Sequence, residues 1–336
     1  MVELLHENPE IYRIDIPLKG NALKNLNCYV LKSRGESVVI DTGFNNPDCK
    51  DALDAGLAEL GISMNHTNLL ITHLHTDHCG LAPGFRSKDS KIYMSKLEHE
   101  LIRKWKHRKY RWEMDAIFRQ EGFPQEALVE AAKRNPMIVY AADTDYDVVP
   151  LRDGDKIEIG DLTFTALAMP GHTPEHMCYY LEKEKIMFLG DHILYDITPN
   201  ITVWPGVKHS LSTYLINLHR MLTYDIEIAY PAHRGIQGKT LPQRVEEITE
   251  HHSRRLNEIL QVLREHPGSS GYEVASRLTW SLHGESWDTA PKRQIWFAMG
   301  ETMAHLEYLM EMEKIFRGNK LVNGQRIHTY FLENKL

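Results

Sequence analysis

His73-Leu74-His75-Thr76-Asp77-His78 packs three imidazoles and a carboxylate into six residues. Imidazole and carboxylate are the ligands that suit zinc, iron or manganese. Four such groups at a strand end let one loop aim at two adjacent ions. Three further segments repeat a pattern: an apolar run, a small or breaker residue, then a ligand-type side chain. They are Met169-Pro170-Gly171-His172, Phe188-Leu189-Gly190-Asp191 and Ala229-Tyr230-Pro231-Ala232-His233. Ligands at strand ends on one edge of a packed sheet converge on one cleft. His192 and Tyr195, just beyond Asp191, are candidates for a general acid or an oxyanion donor, and His192 reads equally well as a packing or bracing residue. His176 reads as structural.

The elements that position these groups follow from periodicity. Ile11–Ile16, Cys28–Leu31, Ser37–Ile40 and Leu69–Thr72 read as strands, with an amphipathic helix over Asp48–Leu60. Strand patterns return at Val148–Leu151, Lys156–Ile159, Leu162–Leu167, Tyr179–Leu181 and Lys185–Leu189. Between them, residues 96–147 look like a helical insertion in an α/β core, a lid over the cleft. The insertion carries Arg103, Lys104, Lys106, Arg108, Lys109 and Arg111 interleaved with Trp105, Tyr110 and Trp112. That run alone reads as a solvated amphipathic helix; its functional alternative is a contact for an anionic handle such as a coenzyme A phosphate. After residue 240 helices are predicted over Pro242–Glu265, Tyr272–Leu278 and Pro291–Phe316. A hairpin follows around Asn323-Gly324, a winged-helix pattern. The division is therefore 1–240 and 241–336.

Composition narrows the function. The chain has 336 residues, 42% hydrophobic and 25% charged, with a formal charge of −7. That is a globular protein with a real core and no global basic field for nucleic acid or membrane. Residues 241–336 hold 12 Lys/Arg against 13 Asp/Glu, which argues against a nucleic-acid-binding winged helix. Cys28, Cys49, Cys79 and Cys178 lack any C-x-x-C spacing and read as reduced, buried thiols. No leader or membrane span is apparent, so a cytoplasmic location is expected. Nineteen histidines are the outlying entry in the composition. His99, His107, His251, His252, His283, His305 and His328, in helices or the C-terminal region, are expected at the surface.

With these residues in view, the sequence resembles the metallo-β-lactamase fold superfamily, especially its glyoxalase II-like branch. The five motifs match, in order, Asp41-Thr42-Gly43, His73–His78, Gly171-His172, Gly190-Asp191 and Ala232-His233. The C-terminal region resembles, less specifically, the winged-helix domain of the β-lactamase-like protein 2 family through His251–Leu263 and Ala298–Ile315. The resemblance implies an αββα sandwich carrying a helical insertion and a C-terminal winged-helix domain. It makes His73, His75 and His172 ligands of a first metal and Asp77, His78 and His233 ligands of a second. Asp191 would bridge, and Asp41 would brace the ligand loop from outside. Zinc is the first expectation for the two divalent ions, with iron or manganese as alternatives. Departures bear on substrate: His75 occupies the Glu position of the diiron oxygen reductases. Glu175 replaces a common Gly, which is expected to reshape the pocket floor.

The function implied is hydrolysis of a small acyl substrate (thioester, lactone or activated ester) by a hydroxide held between two cations. Asp77 is a ligand that also orients the hydroxide. A metal-dependent nuclease or phosphodiesterase is the alternative. A non-catalytic scaffold is disfavoured because all seven ligand positions are filled. A small, anionic molecule is the expected partner; the Met/Leu face of Ala298–Ile315 suits packing beside the cleft or a homodimer.

Overall fold

The computed structural model describes residues 1–333 other than 283. A seven-stranded sheet contains, side by side, β1 (Val2–Glu7), β2 (Glu10–Pro17), β3 (Asn25–Ser33), β4 (Glu36–Ile40), β5 (Thr67–Leu70), β6 (Ile92–Ser95) and β7 (Val149–Leu151). A second sheet holds five strands in a row: β8 (Lys156–Ile159), β9 (Leu162–Ala168), β10 (Met177–Leu181), β11 (Ile186–Gly190) and β12 (Ile228–Pro231). Both sheets are mixed: β4 to β7 pair parallel, as do β11 and β12, and the other neighbours pair antiparallel.

Period-two alternation builds the layers. Tyr29, Leu31, Val38 and Ile40 point from the first sheet into a core shared with Phe164, Tyr179, Leu181 and Phe188 of the second. Their neighbours Cys28, Val30 and Val39 face the opposite way, onto Leu53 and Leu57 of α1 (Pro47–Glu59). That helix starts where Asn46 caps Cys49 N–H and Pro47 follows, a donor-free residue where no donor is needed. On the far side, Cys178, Tyr180, Met187 and Leu189 meet Leu211, Tyr214 and Leu218 of α7 (Ser210–Arg220; α2 to α6 precede it in the chain, below). Helix, sheet, sheet, helix is the resulting order, with ~1.5–3 kcal/mol from each fully buried large apolar side chain.

The short helix α2 (Thr76–Cys79) carries the end of the histidine-rich loop. The expected helical insertion is present as α3 (Lys96–Lys106), α4 (Arg108–Gln120), α5 (Gln125–Ala132) and α6 (Pro136–Val139). The C-terminal part contains α8 (Leu241–Glu265), α9 (Gly271–Ala275) and α10 (Lys292–Glu311), then the hairpin β13 (Ile315–Val322) and β14 (Gln325–Leu332). A two-way capping box between Thr240 and Gln243 opens α8, close to the expected boundary. Insertion and C-terminal part share one core: Phe118 stacks on Trp296 with ring centroids 4.9 Å apart.

Three expectations needed correction. The final helix ends at Glu311 rather than Phe316, because Glu313 turns left-handed (φ +50°) and Ile315 and Phe316 pair with Leu332 and Phe331 instead. The helix expected over Tyr272–Leu278 runs only from Gly271 to Ala275. His99, His252 and His305 are buried, not at the surface, while His283 lies outside the described residues. Helix α7 and strand β1 were not anticipated. Asn323 and Gly324 both adopt positive φ, +52° and +79°, which is the turn the Asn-Gly pair predicts. All four cysteines are buried and free. Among the described residues no helix is long and apolar enough to cross a membrane.

Candidate metal centre

Strand direction decides where the ligand-type residues meet. β9 and β11 both run antiparallel to β10, and β12 runs parallel to β11, so all three end on the same edge. His172 follows β9, Asp191 follows β11 and His233 follows β12; the His73–His78 segment follows β5 of the first sheet. Two glycines make the turns fit. Gly171 has φ +139° and a Cβ there would stand 2.4 Å from Tyr214 Cβ; Gly190 has φ +53° and would strike His176 Nε2 at 2.5 Å.

All seven expected residues come together. Donor atoms of His73, His75, His172 and Asp191 form one group, and those of Asp77, His78 and His233 a second, each within 4.8 Å. Asp191 reaches both: Oδ2 lies 3.7 Å from His172 Nε2 and 4.0 Å from His73 Nε2, while Oδ1 lies 3.2 Å from His233 Nε2 and 3.6 Å from His78 Nε2. His73 Nε2 and His172 Nε2 are 2.9 and 3.1 Å from His75 Nδ1.

The backs of the rings are tied. His172 Nδ1–H donates to Asn200 O at 2.8 Å and His233 Nδ1–H to Asn25 O at 2.6 Å, because a carbonyl only accepts. His78 Nδ1 meets Asp41 Oδ2 at 2.7 Å. Each tie fixes a tautomer that leaves the Nε2 lone pair facing inward. His78 Nε2, His233 Nε2 and Asp191 Oδ1 are buried without a hydrogen-bond partner among the described residues. A buried acceptor without a donor costs ~1–3 kcal/mol. Six imidazole or carboxylate groups converging around Asp191, with three of the inner atoms unpaired, fit two divalent cations.

Burial pushes the pKa of His73 and His75 well down, which keeps both neutral and able to ligate. Burial acts on His78 in the same direction, but Asp41, Asp191 and Asp77 outweigh it and raise its pKa. Burial disfavours the Asp191 charge, yet His233 and His78 hold its pKa well below the usual range. Asp41, in the left-handed region at φ +60°, also accepts from Thr72 N–H and Oγ1 at 2.9 and 2.8 Å, bracing the loop as expected.

Not every expectation met the site. A cavity of about 330 Å3 opens over the cluster, with His75, Asp77, His172 and Asp191 in its wall. His192 and Tyr195 do not line it. His192 is fully buried between the rings of His176 and Tyr214, its pKa lowered by burial to about 4. Tyr195 sits in the apolar layer under α7, pushed by burial to about 12. Both fit packing roles. His176 is structural: its Nε2 accepts from Asp191 N–H at 3.0 Å. Glu175 does not form the cavity floor either; it accepts from Ser95 Oγ and Leu97 N–H at the start of α3.

Two contributors were missed. Glu98, fully buried and raised by burial to about 7, accepts from Leu74 N–H at 2.8 Å and Glu175 N–H at 2.7 Å, lashing the two histidine loops together. Ser95-x-x-Glu98 is readable as a capping box, but the carboxylate is spent on these tertiary donors. Of the cavity walls, Trp105 and Met114 come from the insertion expected over the cleft, whereas Trp204, from the loop before α7, and Arg293, Trp296 and Phe297, from α10, were not singled out. Trp204 lies 6.1 Å from the ring of His75.

A family model described as Metallo-beta-lactamase superfamily matches residues 23–233, from just before β3 to the last ligand-type histidine. The chain belongs to the metallo-beta-lactamase superfamily. Within that superfamily, it is 26% identical over 275 residues to an atrochrysone carboxyl ACP thioesterase of Cryptosporiopsis sp., covering 79% of this chain and 69% of that one. It is 24% identical over 257 residues to the Beta-lactamase-like protein 2 homolog of Caenorhabditis elegans, covering 76% and 71%. The matched stretch spans 69%, 59% and 65% of three similar fungal proteins. A metallo-beta-lactamase family protein of Thermus thermophilus superposes with TM-score 0.77 at 28% identity, covering 96% of this chain and 98% of that one. The superfamily match and the two His/Asp groups make this chain a metal-dependent hydrolase.

Proposed function

We propose that this hydrolase cleaves a thioester with an apolar acyl group, using two cations held by His73, His75, His172, Asp77, His78 and His233 with Asp191 between them. The observation that carries the reading is the wall of the cavity. Among the described residues its only titratable side chains are His75, Asp77, His172, Asp191 and Arg293, so no acid beyond the ligands is placed to protonate a leaving group. A thiol, with pKa ~8.5, leaves without one, whereas an alkoxide gains from protonation. The fungal relatives named as ACP thioesterases support the same choice.

Bound cations supply Lewis acidity and lower the pKa of the water they hold toward ~7. The chain supplies the rest. Carbonyls of Asn25 and Asn200 and the Asp41 carboxylate orient the rings. Asp77 presents its carboxylate in the cavity wall as the acceptor for a proton of entering water. Trp105, Trp204, Trp296 and Phe297 exclude solvent and take the acyl body by apolar contact. Zinc is the metal this donor set favours first, with iron or manganese next. The helices and hairpin of 241–336 support a winged-helix reading in which α10 serves the cavity rather than nucleic acid.

Metal-loaded protein should release thiol from acyl thioesters faster than it opens lactones or cleaves bis(p-nitrophenyl) phosphate. Preference for the phosphodiester would instead establish the phosphodiesterase alternative. Arg293 is the one cation in the cavity wall among the described residues, which leaves a polyanionic backbone poorly matched there.

A further inference from the structure

The cavity over the ligand cluster continues outward. Trp105, Met114, Asn135 and Trp296 line it and also line a neighbouring groove of about 740 Å3 on the insertion. Arg111 and Arg119 of α4 and Lys133 after α5 face this groove, against one carboxylate, Asp115, whose pKa burial raises. Lys133 is paired with Glu130, whereas Arg111 and Arg119 have no ion pair among the described residues. Trp112, 61% exposed, stands in the same groove with the Arg119 guanidinium 5.7 Å from its ring, and exposed Val129 and Ile138 lie beside it.

This combination calls for an occupant. On a chain of formal charge −7, this groove holds two guanidiniums without a carboxylate partner among the described residues, one of them (Arg119, which also donates to Gln125 Oε1 at 3.3 Å) beside an exposed indole. Exposed apolar groups rimmed by charge mark binding surfaces. Guanidiniums grip phosphate by paired hydrogen bonds, and an indole face stacks on a heteroaromatic ring. We propose that the groove binds the phosphorylated adenosine end of a coenzyme A thioester while the acyl group enters the cavity. The proposal rests on the thioesterase reading above. The pantetheine arm then runs past Trp105 and Trp296, the two indoles common to groove and cavity. A carrier protein would present the same arm without the adenine, and the exposed Trp112 beside Arg119 favours the nucleotide.

The test pairs two thioesters of one acyl group, on coenzyme A and on N-acetylcysteamine, with calorimetric binding of adenosine 3′,5′-bisphosphate. The proposal expects at least a tenfold advantage in kcat/KM for the coenzyme A ester, carried mainly by KM, and salt-sensitive nucleotide binding. Arg111→Glu with Arg119→Glu should bring the advantage near unity and abolish nucleotide binding. Trp112→Ala, a change at an exposed position, should lower both several-fold and serves if the double variant does not fold. Equal kcat/KM for the two esters in the unaltered protein overturns the assignment, as does absent nucleotide binding. So does a carrier-protein thioester preferred over an undistinguished coenzyme A ester. Hydrolysis of neither ester with nucleotide binding intact overturns the thioesterase reading alone.

Discussion

Two buried histidine clusters in this molecule look alike in composition and differ in everything that matters for chemistry. At the sheet edge, His73, His75, His78, His172 and His233 point inward around Asp191. In the C-terminal part, His251, His252 and His305 gather with Glu301 and Arg255 between α8 and α10. There two of the rings are chained: His305 Nδ1–H donates to Glu301 O at 2.7 Å, which leaves its Nε2 to accept from His252 Nδ1 at 3.0 Å, while the Nε2 atoms of His251 and His252 have no hydrogen-bond partner among the described residues. Among the described residues, no three donor atoms in that cluster share a common point as those of the sheet edge do. Burial lowers both His252 and His305, the latter to about 4, so these two rings are neutral packing beside the Arg255–Glu301 ion pair. A histidine acquires function when its outer nitrogen is tied and its inner lone pair is left to converge with others. Burial and number do not confer it.

Breaking that contrast should have its largest effect at Asp191. Asp191→Ala should lower thiol release by about 1000-fold or more, since it removes the shared ligand on which water activation depends. Metal measured by plasma mass spectrometry should fall below two ions per chain; unchanged turnover would refute the site. Asp41→Asn keeps every ligand and disturbs only the brace of His78 and Thr72, so metal affinity or activity should drop about 10–100-fold in a chelator competition.

The same experiments on the second cluster should move stability and leave metal content alone. Glu301→Gln should cost roughly 2 kcal/mol in urea unfolding, because it removes one of the two carboxylates on Arg255 and leaves only Glu258. Its pH dependence has a defined sign. Burial opposes the Glu301 charge, but His251, His305 and Arg255 draw its pKa down to about 2. The unfolded chain therefore takes up its proton first, and stability present above the ordinary pKa of ~4.3 is lost as pH falls from there toward about 2. His305 adds an upper stage, losing stability between ~6.5 and about 4. Acid unfolding curves of Glu301→Gln should lose the lower stage and keep the upper one. His252→Phe is the mildest change, costing about 1 kcal/mol for one hydrogen bond with metal content intact; loss of metal there would erase the distinction between the clusters.

Much of the site was legible because its signals are local. An apolar strand, a breaker and a ligand-type residue fall within a few positions at His73, His172, Asp191 and His233, and strand directions bring them to one edge. His192 and Tyr195, which do not line the cavity, were chosen by nearness in sequence to Asp191. His192, one place beyond Asp191, turns in between His176 and Tyr214, and Tyr195, four places beyond, turns into the apolar layer under α7. The end of the last helix was misplaced because Ile315 and Phe316 continue its three–four spacing while belonging to a hairpin. Apolar spacing cannot say which partner an apolar residue will meet.

Residue types and short-range pattern determined the layered α/β architecture and the seven ligand-type residues, since alternation, breakers and turn residues act over a few positions. Only the folded chain decided which ring nitrogen faces inward, through carbonyls 28 and 208 residues away from His172 and His233. It alone decided that Glu98 lashes two loops together and that Trp105, Trp204 and Arg293 wall one cavity. These are contacts between distant segments, and their geometry exists only once the sheets have packed.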